Sequence, residues 1–182
     1  YKDYIFGLLF LKRMNDEFGG ERAALSEAYK KQGLPQDEIK ELLEDPDTYR
    51  NFFVPERARW ESIRRLTLDI GPALDKAFRA IEDTPKNSEL AGVLTTANYN
   101  DKGKVSDRQL SQLLVLFDSM RLDRNSLETE DLLGDAYQYL IKEFADQGGS
   151  KGGEFYTPTE VVKTMVRILK PQEGDRIYDP TG

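Results

Sequence analysis

The chain has 182 residues, 32% charged and 38% hydrophobic, with 26 Lys and Arg against 33 Asp and Glu. That apolar supply is enough for a core and argues against wholesale disorder, and no apolar run approaches the ~20 residues that span a bilayer, which argues against an integral membrane protein. With neither Cys nor His, a disulfide framework, a thiolate nucleophile, a Ser-His-Asp triad and a His- or Cys-ligated zinc are excluded, while carboxylate sites for Mg or Ca stay open; the lack of Cys fits a reducing, cytoplasmic setting.

The first segment, Tyr1–Phe18, reads as a helix that is apolar almost all round from Tyr4 to Leu11 and is expected to be buried on most sides. It lacks a basic leader and a small-residue cleavage site, so it does not read as a signal peptide, and the opening without Met suggests residues upstream. Glu21–Lys31 and Gln36–Glu44 read as short surface helices separated by Gly33-Leu34-Pro35, and Asp45-Pro46-Asp47 breaks the chain. Thr48–Pro55 is aromatic and extended or irregular. Ala58–Leu66 is a short helix carrying Trp60 amid Arg57, Arg59, Arg64 and Arg65. Two readings of that patch are open: a solvated helix face with ordinary ion pairs, or a docking site for an acidic partner or a DNA backbone.

Ile70, Leu74, Ala77, Phe78 and Ile81 keep helical spacing, with Pro72 tolerated in the first turn. Thr95–Lys104 is a polar loop, and Ser106 caps a helix whose apolar positions are Leu110, Leu113, Leu114 and Phe117. A further helix carries Leu132, Leu133, Ala136, Tyr137, Leu140, Ile141 and Phe144 on one face. These stripes read as core, not as cofactor contacts. Strand signals are nearly absent before residue 170, so residues 1–147 read as a helical domain, and the glycine-rich stretch 148–153 reads as a hinge. Residues 1–147 hold 21 basic and 28 acidic residues, the last 35 hold five of each, and so the acidic excess lies before the hinge. An acidic module is a poor general phosphate binder.

Beyond the hinge, Thr157-Pro158-Thr159-Glu160 has the form of a capping box, with Thr157 as N-cap and Glu160 reaching back. Val161, Val162, Met165, Val166, Ile168 and Leu169 then form a helix expected to pack on something, and Arg176-Ile177-Tyr178-Asp179 reads as a short strand before Pro180-Thr181-Gly182. A helix, a turn and one strand do not complete a domain, so 154–182 reads as the first piece of an α/β domain. Asn98–Gln109 has the outline of a calcium loop but fails it, with Lys102 at the fifth position and Gln109 at the twelfth, where a Glu is needed. No phosphate loop and no G-x-G-x-x-G is present. The informative constellation is Gly152–Pro158 followed by Ile177–Gly182. A carboxylate ending a first strand can hold a ligand's amino or hydroxyl groups, a glycine beside it admits the backbone, and an aromatic-Thr-Pro element at a helix start supplies stacking and free amides. The alternative is a capped helix and a strand end with no ligand.

At these residues the sequence resembles the modification (M) subunit of type I restriction-modification systems, the adenine-N6 DNA methyltransferases. The likeness runs the full length, through YKDYIFGLLFLKRMNDEF at the start, VPERARW at 54–60, LLGDAYQYLIKEFA at 132–145, GGEFYTPTEVV at 152–162 and GDRIYDPTG at 174–182. It implies a mainly α chain: an N-terminal helical domain followed by the first helix and strand of a truncated Rossmann-like, S-adenosylmethionine-dependent methyltransferase domain. It implies that Glu154, Phe155, Tyr156, Thr157, Pro158 and Thr159 belong to the cofactor-binding stretch, and that Asp179 and Gly182 open the glycine-rich cofactor motif. It further implies a specificity (S) subunit, a second M subunit, a restriction (R) subunit and double-stranded DNA as partners, with no membrane. The sequence departs from the family pattern in lacking the Asn/Asp-Pro-Pro-Tyr/Phe catalytic motif, since neither Asp45-Pro46 nor Asp179-Pro180 is followed by a second Pro. The 182 residues are therefore expected to be an inactive N-terminal fragment. A different class of reading makes the chain a non-enzymatic helical interaction module.

Overall fold

A computed structural model of the chain describes residues 2–92, 94–95, 97–123, 157, 159–176 and 178. It divides into two compact units, Tyr1–Gly134 and Asp135–Gly182. The described residues of the first unit are helical, turn or irregular, and no strand occurs among the described residues of either. No helix among them is long and apolar enough to cross a membrane.

The first unit begins with α1, Lys2–Lys31, a single helix of 30 residues. The separate helices read over Tyr1–Phe18 and Glu21–Lys31 are one, continuous through Gly19-Gly20. Good helix formers flank the pair, and Arg22 anchors the far half by donating to the Leu43 carbonyl and pairing with Glu44 at 2.7 Å. The expectation of near-complete burial between Tyr4 and Leu11 also narrows. Tyr4, Leu8, Leu11, Met14 and Phe18 form one buried face, while Phe10 points outward. That is the stripe a helix presents to a single core.

α2, Gln36–Glu44, buries Ile39 and Leu43. A 3₁₀ turn at Pro46–Thr48 follows, taking Thr48 from the irregular stretch predicted at Thr48–Pro55, which runs over 49–55. Its Tyr49 and Phe53 close on Phe18, with ring centroids 4.6 and 5.5 Å away. The helix expected over Ala58–Leu66 is shorter and split: a 3₁₀ turn at Glu56–Ala58, then α3, Trp60–Ile63. Asn15 of α1 explains the division. It donates to the Ala58 carbonyl at 3.1 Å and accepts the Trp60 amide at 2.7 Å, so it fixes the start of α3.

α4, Ile70–Glu82, buries every apolar position predicted for it. The 3₁₀ segment Pro85–Leu90, which sequence reasoning missed, turns about the buried Asn87. Asn87 satisfies the Phe53 amide at 2.9 Å and the Phe53 and Ile81 carbonyls at 2.8 Å each. The polar loop before α5 is pinned by Tyr99, which stacks on Phe78, meets Tyr4 edge-on and donates its hydroxyl to the Tyr4 carbonyl at 2.8 Å. α5, Asp107–Asp118, opens with Ser106 and Gln109 capping each other and buries Leu110, Leu114 and Phe117. The buried apolar side chains of α1, the 49–55 stretch, α3, α4, the Tyr99 loop and α5 make one core cluster. The helix predicted around Leu132–Phe144 and the 148–153 hinge lie outside the described residues.

In the second unit, α6 spans Thr159–Leu169. Its apolar residues Val161, Val162, Met165, Val166, Ile168 and Leu169 are exposed, so the packing expected for this stripe is not seen. Lys170 ends the helix with its amide on the Val166 carbonyl at 2.8 Å and a left-handed φ of 50°. The strand expected at Arg176–Asp179 is not formed at the two of its residues described, Arg176 and Tyr178. A strand needs a neighbour to satisfy its amides and carbonyls, and Tyr178 stands 85% exposed.

Candidate functional site

The patch around Trp60 separates into residues held by the fold and residues that project from it. Trp60 is only 6% exposed, packed in the core with its indole N–H donated to Asp118 at 2.8 Å. The ammonium of Lys12 lies 5.5 Å from the Trp60 ring centroid and pairs with Asp16 at 2.5 Å. Arg59 forms a two-pronged pair with Glu44, at 3.0 and 2.6 Å, and also donates to the Val54 carbonyl at 3.2 Å. Arg59, and with it Arg22, holds the Glu44 carboxyl below the usual carboxylate range. Arg64 meets Asp118 at 3.2 Å, and the Trp60 indole together with Arg64 holds that carboxyl low as well. Arg57 and Arg65 are exposed. Most of the cluster is therefore engaged inside the unit, and two projecting cations remain for a phosphate or carboxylate outside it. Sequence reasoning missed the partners Lys12, Asn15, Glu44 and Asp118. Each is distant in sequence from the Trp60 segment, so spacing gave no signal for them.

On the same unit, an open groove of about 1010 Å³ runs beside α1, lined by residues that include Phe10, Arg13, Glu17, Arg50, Phe52 and Arg121. Several of its charges are engaged locally: Arg13 with Glu17 at 2.8 Å, Arg121 with Asp123 at 3.2 Å, and the Glu21 carboxylate accepting the backbone N–H of Arg50 at 2.9 Å. Among the described residues no cluster of carboxylates is arranged to hold a metal.

The stretch expected to bind cofactor is described at two positions. Thr157 is exposed just ahead of α6, and Thr159 is the first residue of that helix. A helix start in general offers amides that suit a ligand's carboxylate or hydroxyl, and Thr157 stands exposed beside this one. Glu154, Phe155, Tyr156, Pro158, Asp179 and Gly182 lie outside the described residues.

Comparison with known proteins completes the picture. Residues 1–117 match the HsdM N-terminal domain, and residues 128–182 match the N-6 DNA Methylase family. The chain is 28% identical over 148 residues to the type I restriction enzyme HindI methylase subunit of Haemophilus influenzae, covering 70% of this chain and 32% of that one. It is 25% identical over 193 residues to the MjaIX methylase subunit of Methanocaldococcus jannaschii, covering 99% and 33%. It is 26% identical over 185 residues to the StySJI methylase subunit of Salmonella typhimurium, covering 99% and 28%. The chain thus spans about a third of the length of the curated relatives it matches. A helical unit with a single core, matched over nearly its whole described length, establishes that the chain belongs to the HsdM N-terminal domain family.

Proposed function

We propose that this chain is the N-terminal part of an adenine-N6 DNA methyltransferase, the modification subunit of a type I restriction-modification system. The observation that supports this reading is the order of two family matches in one chain, a helical domain at 1–117 followed by an N-6 DNA methylase segment at 128–182. On this reading the division is a helical domain over 1–147, a hinge over 148–153 and the start of a Rossmann-like catalytic domain over 154–182. S-adenosylmethionine, when bound, supplies the methyl group. The protein's part is to hold that donor along Glu154–Thr159, Asp179 and Gly182, and to receive an adenine turned out of the duplex. Alignment of acceptor amine and donor carries much of the rate. The reaction takes place in the cytoplasm, with the S subunit, a second M subunit, the R subunit and duplex DNA as partners.

The test is transfer of labelled methyl groups to duplex DNA. The whole subunit with its S subunit forms N6-methyladenine, and the 182 residues alone form none. Turnover by the 182 residues would refute the assignment of catalysis to the missing Pro-Pro motif. Within the whole subunit, Thr157→Ala and Asp179→Ala weaken calorimetric binding of the donor, and unchanged heats would remove both residues from its site.

The helical domain serves assembly on this reading, and Arg57 and Arg65 are its docking cations. The net negative charge of residues 1–147 favours adaptor over autonomous DNA binder. Tight binding of nonspecific duplex by the isolated chain, with a steep salt dependence, would reverse that choice. The alternative is a helical interaction module with no enzymatic role, favoured by the self-contained core of the first unit. Absence of methyl transfer by the whole subunit in its complex would select it.

A further inference from the structure

The chain leaves α5 at Asp118 and reaches Leu122 and Asp123 in the interval between the two family matches. Residues 119–123 form no regular secondary structure, and Leu122 is nevertheless buried. Two side chains one helical turn apart on α1 hold its peptide groups. Asp16 accepts the Leu122 amide at 2.8 Å, and Arg13 donates to the Leu122 carbonyl. Both holders are themselves braced: Asp16 by the buried Lys12, and Arg13 by Glu17 at 2.8 Å. Arg121 and Asp123 pair across the held residue at 3.2 Å.

We propose that Arg13 and Asp16 form a clasp that locks the segment leaving α5, residues 119–123, onto α1 through the peptide groups of Leu122. The physical argument is one of accounting for polar groups. A segment with few ladder partners must satisfy its amides and carbonyls elsewhere, and here both groups of one residue are taken by α1, more than 100 positions away in sequence. The two contacts are charge-assisted, the stronger kind of hydrogen bond. They also act on one residue through both its donor and its acceptor, which fixes orientation as well as distance. The clasp requires no enzymatic activity and stands whether or not the chain belongs to a methyltransferase.

Amide hydrogen exchange on the full chain tests it. The Tyr99 amide, held by Asp75 at 2.9 Å elsewhere in the same unit, is the internal reference. Arg13→Ala removes the contact to the Leu122 carbonyl, and the readout is the neighbouring Leu122 amide, which this substitution does not touch directly. Expected is an increase of about tenfold in Leu122 exchange, the scale of one hydrogen bond in a local opening, with Tyr99 unchanged. Trypsin cleavage after Arg121 accelerates in parallel. Asp16→Ala gives the same selective increase at Leu122; because it also strands Lys12, Arg13→Ala is the decisive variant should it fail to fold. Exchange at Leu122 that is unchanged, or that rises by the same factor as at Tyr99, overturns the clasp.

Discussion

Tyr99 shows how a single side chain organises a loop. The sequence around it is polar, and the reading of 95–104 as a loop holds. What polarity concealed is that Tyr99 is 1% exposed. Two glycines admit it: a Cβ on Gly7 would fall 2.2 Å from its hydroxyl oxygen, and one on Gly71 would fall 2.1 Å from its carbonyl oxygen. Such close approaches come from parts of the chain 92 and 28 positions away, which a pattern of nearest neighbours does not register. Burial, reinforced by the charge of Asp75, raises the Tyr99 hydroxyl well above its ordinary value of 10.0. The unfolded chain therefore loses this proton near pH 10 while the folded chain keeps it. Stability from this group is complete below pH 10 and declines above it, by about 1.4 kcal/mol per pH unit. Tyr99→Phe abolishes that portion of the alkaline slope and costs about 1 kcal/mol at neutral pH through the lost bond to the Tyr4 carbonyl. Urea denaturation from pH 8 to pH 11 measures both. Tyr49, also raised by burial, supplies slope that survives in the variant.

Among the elements, α4 and α5 were legible because their apolar residues recur at helical spacing and each starts at a recognisable signal. The length of α1 was not. Gly19-Gly20 reads as punctuation, yet the helix runs through it because contacts from Arg22 to the α2 end and to Tyr49 secure the distal turns. Neither glycine has a neighbour within 4 Å of an added Cβ. Gly19→Ala and Gly20→Ala therefore each stabilise the fold by about 0.5–1 kcal/mol, the propensity difference of an open helical site, seen as a higher denaturant midpoint with an unchanged slope. A loss of stability in either variant would show that the flexibility of this pair is used elsewhere. The α3 region was half legible: the ordinary ion pairs offered as one reading are present as Arg59–Glu44 and Arg64–Asp118, but the burial of Trp60 among them was not, because its hydrogen-bond acceptor Asp118 lies 58 positions away.

At the scale of the whole molecule, the chain presents a satisfied unit and an unsatisfied one. No buried polar side-chain atom among the described residues lacks a partner. By contrast, α6 leaves its apolar residues open, Ile168 at 74% and Leu169 at 73%. The sequence identified the helix and its stripe correctly but not its cover, because amphipathic spacing says which face is to be buried and not what buries it. The same gap explains the strand: extended propensity needs an adjacent edge before it becomes a ladder. The isolated chain accordingly binds a hydrophobic dye such as ANS, and Ile168→Ser with Leu169→Ser lowers that fluorescence without altering the thermal midpoint of the helical unit. Equal dye binding by parent and double variant would place the sticky surface elsewhere.

The buried amide of Asn87 carries a consequence for the shelf life of the protein. Its Nδ2 group feeds two carbonyl oxygens while its Oδ1 receives a peptide N–H. Hydrolytic deamidation would swap that nitrogen for an oxygen and set negative charge against two acceptors inside the fold. Asn87→Asp mimics the aged molecule, and its melting transition should fall by several degrees, consistent with about 2–4 kcal/mol. Burial and bonding at both ends of the amide also shield it from that hydrolysis, and mass spectrometry of long-stored folded material should find it intact.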